Sequence, residues 1–509
     1  MKINNNYYLD SFFWSTTATL LRSVVNFISI PLLLNYLGID NYGILTLALS
    51  TNAYIAMMDI GGNTGPVKFF SEWFSQKDYG RISKVAGTSI TFYLLFGILN
   101  AAILVFMAFF GESWFKLTPA EFQEYRVSLF IIAFFAVFNW CSHVFSQLIT
   151  AIEKIAFIRK IEILVSLLCF VVILLTIKLS LSLNTYFFLY TLVQSLIIIP
   201  YYLCLTSRKN DFKLSLWPQT HWKDFGVVLK YSIAIFSMGV FQALAAKSRP
   251  IVLGIFADNA SVVLGEYRII EVFPAFLISI CGALIMIFLP KSSKYVLQND
   301  RAAIEKLAYD GSKITSIFSC LLCLPIMINA SEILTVYVGH EYAHLAIWMI
   351  LWCFTLLLNL YNSPISSLIL ATGKTRMLVY SSAIASVVSI IINSFLCKTL
   401  GVGAAVIGYL VYIIIQQLFY FLYFDNKVMG LDSLRVLKAF GLPLIIGLLI
   451  SIIIQYSFSY IFDYTTFSRL GIISFGIIKG ILWLIVYMTT IHITNIFRFE
   501  EAKSLLLRK

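Results

Sequence analysis

Five cations stand in stretches of the chain that are otherwise apolar: Arg22, Lys247, Arg249, Arg268 and Lys479. A charge facing hydrocarbon costs several kcal/mol, so each must meet water, a partner or a ligand. No acid lies within a helical turn of Arg22, Lys247 or Arg249, and these three predict a wet, cationic cavity suited to an anion. Lys479 joins the set from the last apolar run. Pro250, beside Arg249, lacks an N–H and frees carbonyl groups before it. Arg268 differs, because Glu271 follows three residues on and Glu266 is near; a structural ion pair competes there with a binding role. Glu266 and Glu271 read as the acids well inside the apolar runs, and they are the expected holders of a coupling proton or sodium ion.

Other motifs carry less. His340-Glu341-Tyr342-Ala343-His344 fits H-E-x-x-H, which on an α-helix sets two zinc ligands on one face with a general base between. No third ligand is evident downstream, and the segment falls at the mouth of an apolar run. It reads as the wet start of a span, with a membrane zinc metalloprotease as the remote alternative. Cys320-Leu321-Leu322-Cys323 has redox spacing inside an apolar run, where cysteine behaves as a small hydrophobe. All eight cysteines fall in such runs, which argues against a disulfide framework. Gly401-Val402-Gly403 is too short and apolar to cradle phosphate, and Gly373-Lys374 lacks the rest of a P-loop. No enzymatic activity, resident cofactor or metal is expected.

The elements that must position these charges are membrane helices. Hydrophobic residues make up 60% of the chain and charged residues 12%, with a mean hydropathy of +0.87, outside the range of soluble domains. About fourteen runs are long enough to cross about 30 Å of hydrocarbon, near 11–37, 42–60, 85–110, 126–150, 161–178, 185–205, 227–257, 262–289, 314–330, 345–370, 377–397, 402–424, 439–460 and 468–494. The fold class is an all-α integral membrane protein. No cleavable signal peptide is expected, since Met1 to Asp10 is polar. With the N-terminus inside, inner segments hold 26 of the 37 lysines and arginines. Outer ones hold Lys116, Arg126, Lys178, Lys398 and Arg469. The positive-inside rule then puts both termini in the cytoplasm. The loops with Lys77, Lys209 and Lys306 are expected inside, and those with Glu121, Glu341 and Asp463 outside. The net charge of +12 is an insertion signal, and no nucleic-acid partner is expected.

A signature recurs about 220 positions apart. Leu148-Ile149-Thr150-Ala151-Ile152-Glu153-Lys154 shares L-I-x-A-x-x-K with Leu368-Ile369-Leu370-Ala371-Thr372-Gly373-Lys374. Pro31-Leu32-Leu33-Leu34 echoes Pro250-Ile251-Val252-Leu253, followed by Asp40-Asn41 and Asp258-Asn259; Gln76-Lys77-Asp78 echoes Gln298-Asn299-Asp300. Three matches in one order predict a duplicated unit, as in transporters whose halves rock about a central site. The expected organisation is a six-helix lobe over 1–205, a cytoplasmic linker over 206–225, a second pseudo-symmetric six-helix lobe over 226–424, and two additional helices with a cytoplasmic tail over 425–509.

Along most of its length the chain resembles the Wzx-type polysaccharide flippases of the multidrug/oligosaccharidyl-lipid/polysaccharide exporter superfamily. Leu37-Gly38-Ile39-Asp40-Asn41-Tyr42-Gly43 is similar to that family's L-G-x-x-x-Y-G turn, and Asp59-Ile60-Gly61-Gly62 to its D-[LI]-G ending of the second helix. Ala371-Thr372-Gly373-Lys374, Leu400-Gly401-Val402-Gly403-Ala404-Ala405 and Gly339-His340-Glu341-Tyr342-Ala343 resemble its later patterns. Many relatives have twelve helices, so a count of fourteen also brings the lipid II flippases of the superfamily into view.

The resemblance implies a flippase of the bacterial inner membrane working by alternating access. Its cargo would be an undecaprenyl-pyrophosphate-linked oligosaccharide, passed outward for O-antigen, lipopolysaccharide or capsule synthesis. Its surroundings would be membrane lipids, a polysaccharide polymerase and a chain-length regulator. A sugar hydroxyl buried without a hydrogen bond costs roughly 4–8 kcal/mol, so such a head group does not cross hydrocarbon unaided. A multidrug/cation antiporter is the alternative in the superfamily, but its cavity needs acids where this chain carries Arg22, Lys247 and Arg249.

Overall fold

The computed structural model describes residues 5–59, 64–208, 212–373, 376–462 and 467–496. Lys2, Ile60-Gly61-Gly62, Lys209, Lys374, Asp463 and the basic tail from Arg498 to Lys509 lie outside the described residues. Among the described residues every regular element is helical. The first are α1 (Asn5–Ile55), α2 (Thr64–Ser75), α3 (Tyr79–Phe110), α4 (Pro119–Ala151), α5 (Ile155–Lys178), α6 (Leu183–Ser195), α7 (Ile198–Thr206), α8 (Trp222–Phe256) and α9 (Ala260–Leu297). There follow α10 (Arg301–Ile328), α11 (Ala330–Tyr337), α12 (Ala346–Tyr361), α13 (Ser363–Thr372), α14 (Arg376–Leu400), α15 (Val402–Phe419), α16 (Ser433–Ile461) and α17 (Arg469–Ile493). Eleven stretches among these residues are long and apolar enough to cross a bilayer. One, Asp10–Ile55, has 46 residues, about twice a single crossing. It turns at Gly38, whose φ of 79° and ψ of 166° leave the helical region and favour a residue without Cβ.

Left-handed turns recur at the spacing of the repeated sequence signature. Lys77 (φ 58°) is matched about 220 positions later by Asn299 (φ 49°), Glu153 (φ 59°) by Gly373 (φ 71°), and Ser180 (φ 51°) by Gly401 (φ 51°). The aspartate after the first of these turns caps a helix both times: Asp78 accepts from Arg81 N and Asp300 from Ala303 N, each at 3.0 Å. The recurring Leu-Ile-x-Ala signature ends α4 and α13, so it marks a helix stop and its left-handed cap.

The chain divides into two compact units, residues 1–265 and 266–509. In the first, Phe70, Trp73, Ile82, Val85, Trp140 and Leu148 form the main core. Gly43 and Gly265 let α1 and the start of α9 touch: a Cβ on Gly43 would lie 1.8 Å from Ser261 O, as expected where small residues replace the hydrophobic effect as the means of packing in lipid. In the second unit Cys320, Cys323, Cys353, Leu356, Trp483 and Tyr487 are buried together, with both cysteines of the redox-spaced pair packed as free thiols. Ser316 donates to Phe440 O across α10 and α16 at 2.6 Å, and Ser389 to Gly408 O across α14 and α15 at 2.7 Å. Large apolar side chains such as Phe134, Ile452 and Phe395 stay exposed on the outside, the inverse of a soluble protein and the arrangement a lipid solvent requires.

Candidate functional site

Arg22 does have an acidic partner, but on another helix. Its guanidinium donates to Glu162 Oε2 on α5 at 2.6 Å, and Arg159 donates to the same oxygen at 2.8 Å. One carboxylate thus serves two guanidinium groups, leaving one net positive charge. The Arg22 side chain is 47% exposed, Arg159 38% and Glu162 19%. Arg159 Nε is buried without a hydrogen-bond partner, a donor whose burial costs free energy until an acceptor arrives. Beside this group Lys160 lies 4.6 Å from the Trp14 ring centre. The cluster offers two planar forks, an orphaned N–H and excess positive charge, which is the donor set for a phosphate-like anion.

Lys247 and Arg249 are both on α8, with Lys247 exposed and Arg249 buried. Arg249 Nε donates to Ala245 O at 3.2 Å, in the turn loosened by Pro250. In the second unit Arg268 donates to Glu271 Oε2 at 2.7 Å, and Tyr267 donates to Glu271 Oε1 at 3.1 Å. Both oxygens of that acid are therefore engaged. Glu266 faces His344 Nε2 at 3.1 Å, and His344 Nδ1 meets Glu341 O at 2.8 Å. The H-E-x-x-H segment is a 3-10 helix over His340–Leu345, where residues four apart point about 120° away from each other instead of sharing a face. No group of three potential metal-ligating side chains occurs among the described residues.

Lys479 corrects the expected cavity. Its side chain is 1% exposed, and its Nζ donates to Glu332 Oε1 at 2.7 Å and Ile328 O at 2.6 Å. The helical path breaks at Asn329 between α10 and α11, leaving carbonyl groups without helical partners. Asn329 Nδ2 satisfies Pro325 O, and Lys479 satisfies Ile328 O. Gly476 and Gly480 face the Asn329 amide. Lys479 is a staple holding α17 to that break, sealed from any ligand. Besides Glu266 and Glu271, the helical segments hold Glu162 on α5, Glu332 on α11 and Asp425, the last buried in the π-helical segment Tyr420–Val428 that follows α15. Scanning each cation's own helix for acids misses them; counting every acid in an apolar run would have found Glu162.

A sequence profile described as polysaccharide biosynthesis protein matches residues 8–296. No curated protein matches the chain in sequence. Among solved structures the fold is similar to a lipid II flippase MurJ in an inward closed conformation, with a TM-score of 0.68 at 16% identity, covering 96% of this chain and 100% of that one. It is similar to an inward-facing multidrug resistance MATE family transporter of the MOP superfamily, with a TM-score of 0.63 at 13% identity, covering 83% of this chain and 95% of that one. A MOP superfamily transporter from Pyrococcus furiosus gives a TM-score of 0.51 at 14% identity, covering 83% and 96%. At these identities the likeness is one of fold.

Proposed function

We propose that this chain, which belongs to the polysaccharide biosynthesis protein family, is a flippase that turns a lipid-linked oligosaccharide from the inner to the outer face of the cytoplasmic membrane. The observation that carries this reading is the half-exposed Arg22–Glu162–Arg159 cluster, with its orphaned Arg159 Nε. Glu162 lies roughly 10 Å along α5 from Ile155, at the depth where a pyrophosphate would enter from the inner leaflet if the N-terminus is cytoplasmic. A pyrophosphate diester can take the free donors of both forks while Glu162 limits how tightly it is held. Lys247 and Arg249 add positive charge to the same unit.

We count fourteen crossings: two in α1, one each in α8 and α9, and the ten other apolar stretches. Both termini are placed inside by the bias of basic residues, and the duplicated lobes at 1–205 and 226–424 work by alternating access. Part of a prenyl chain would fit an apolar cavity of about 420 Å³ lined by Leu358, Ile414, Leu418, Phe421, Leu437 and Leu444. The cationic sign of the first unit's cluster opposes a cationic drug as cargo.

Deletion of the gene tests the reading. Expected is loss of surface polysaccharide, with undecaprenyl-pyrophosphate-linked oligosaccharide accumulating on the cytoplasmic face. Intact polysaccharide with hypersensitivity to cationic drugs would instead establish an antiporter. Lysis with accumulated lipid II would establish a cell-wall precursor as cargo.

A further inference from the structure

The second segment of α1 leaves helical geometry beside a group of side chains that nothing above uses. After Ile55 the chain tightens to a 3-10 turn over Ala56–Met58, and Asp59 follows with a ψ of 88°. Non-helical backbone at membrane depth persists only where protein or water satisfies it. Asp59 faces Tyr93, roughly 21 Å along α3 from Tyr79, and His143, roughly 12 Å before the end of α4. The Tyr93 hydroxyl donates to Asp59 Oδ1 at 2.7 Å and accepts from Gln147 Nε2 at 3.1 Å. Asp59 Oδ2 stands 3.7 Å from His143 Nδ1, too far for a hydrogen bond. The imidazole stacks on the Tyr93 ring at 5.9 Å and lies 6.1 Å from the Trp140 ring. Asp59 is 16% exposed and His143 42%. A sheltered acid is thus fixed through one oxygen, and a partly exposed base waits beside the other.

We propose that Asp59 and His143 together form a proton-binding site of the first unit. A neutral imidazole tolerates the 3.7 Å gap; an imidazolium closes it to a charge-assisted bond of about 2.8 Å. Taking up one proton from water changes the pair from one net negative charge to none and draws Asp59 toward α4. Releasing it reopens the gap and frees the end of the α1 segment. The two states therefore differ in the position of a helix end as well as in charge, which is what coupling requires.

Among the described residues, other ionisable groups lie on the elements around the pair. On α1 itself Tyr54 is half-buried. On α2, Lys68 sits 4.4 Å over the Tyr231 ring. On α8, which packs against the 3-10 turn, Lys230 and Lys247 are exposed and Arg249 donates to Ala245 O. From α3 and α4 the facing groups are Tyr93 and His143.

What the proton drives rests on the flippase reading; that it binds does not. Trp140 reports binding without cargo, because an imidazolium quenches a nearby indole. The probe is the full chain in lipid nanodiscs, with the Trp140 component isolated by subtracting the signal of Trp140→Phe. On acidification this component should fall, His143→Gln should abolish the fall, and Asp59→Asn should weaken it. An identical titration in Asp59→Asn and wild type, or a fall that survives His143→Gln, would overturn the site. In proteoliposomes at clamped potential, a pH gradient should speed flipping of a labelled lipid-linked oligosaccharide about fivefold or more in wild type. The ratio of rates with and without the gradient should drop to about one in Asp59→Asn. An intact Trp140 titration with no flipping at all would sink the flippase reading and leave the proton site standing.

Discussion

Two ion pairs of nearly equal length behave as opposites. Arg22 and Glu162 meet at 2.6 Å with side chains 47% and 19% exposed; Lys479 and Glu332 meet at 2.7 Å at 1% and 5%. The first shares its acid with Arg159 and retains donors for something else. The second is closed, with the lysine also bound to the freed carbonyl of Ile328. In the open pair water or an anion can replace a partner at little cost, whereas in the sealed pair removal of either member strands a charge in low dielectric. A charge in an apolar run is therefore a question that only its exposure answers.

The largest effect should come from splitting the sealed pair. Lys479→Ala or Glu332→Ala should each destabilise the second unit by about 3–5 kcal/mol, read as loss of inserted protein and a lowered unfolding temperature in detergent. Lys479→Met combined with Glu332→Leu should recover most of that loss. A double variant as unstable as the singles would show that the bonds to Ile328 O and the break at Asn329 matter more than the charge pair.

Removing the acid of the open pair sharpens the contrast from the other side. Glu162→Gln leaves Arg22 and Arg159 without their shared counter-charge, so it should tighten binding of undecaprenyl pyrophosphate by about tenfold and slow its release. A direct binding measurement in nanodiscs checks this, and weaker binding would mean that Glu162 itself holds the cargo. A smaller change is expected at Arg268, whose pair with Glu271 is 32% and 30% exposed. Arg268→Ala should cost no more than about 1 kcal/mol of stability. Smallest of all, His340→Ala with His344→Ala should leave surface polysaccharide within about twofold of wild type. Complete loss, with zinc bound by the native protein alone, would revive a metal site on the 3-10 turn.

The helices and turns were legible because they depend on neighbours in sequence. Apolar runs gave the spans, Gly38 the break in α1, and the echoes at Gln76-Lys77-Asp78 and Gln298-Asn299-Asp300 marked two copies of one turn with its capping aspartate. The Arg268–Glu271 pair was legible for the same reason, being three residues long. What failed was pairing through space. Glu162 is 140 positions from Arg22, and Glu332 is 147 from Lys479, so no helical spacing joins them. Asp59 was visible as a helix ending, but only the fold sets Tyr93 and His143 around it.

The most direct test of the open pair as the cargo's anion site is flipping by purified Arg22→Ala protein in proteoliposomes, with a labelled undecaprenyl-pyrophosphate-linked oligosaccharide and inserted protein matched to wild type. Because the pair is exposed, stability should change by less than about 1 kcal/mol. Loss of a charge-assisted contact worth about 2–3 kcal/mol should lower flipping on the order of a hundredfold, and Arg22→Lys should restore part of it, since charge returns without the planar fork. A well-folded Arg22→Ala protein that flips the cargo at the wild-type rate would contradict the assignment.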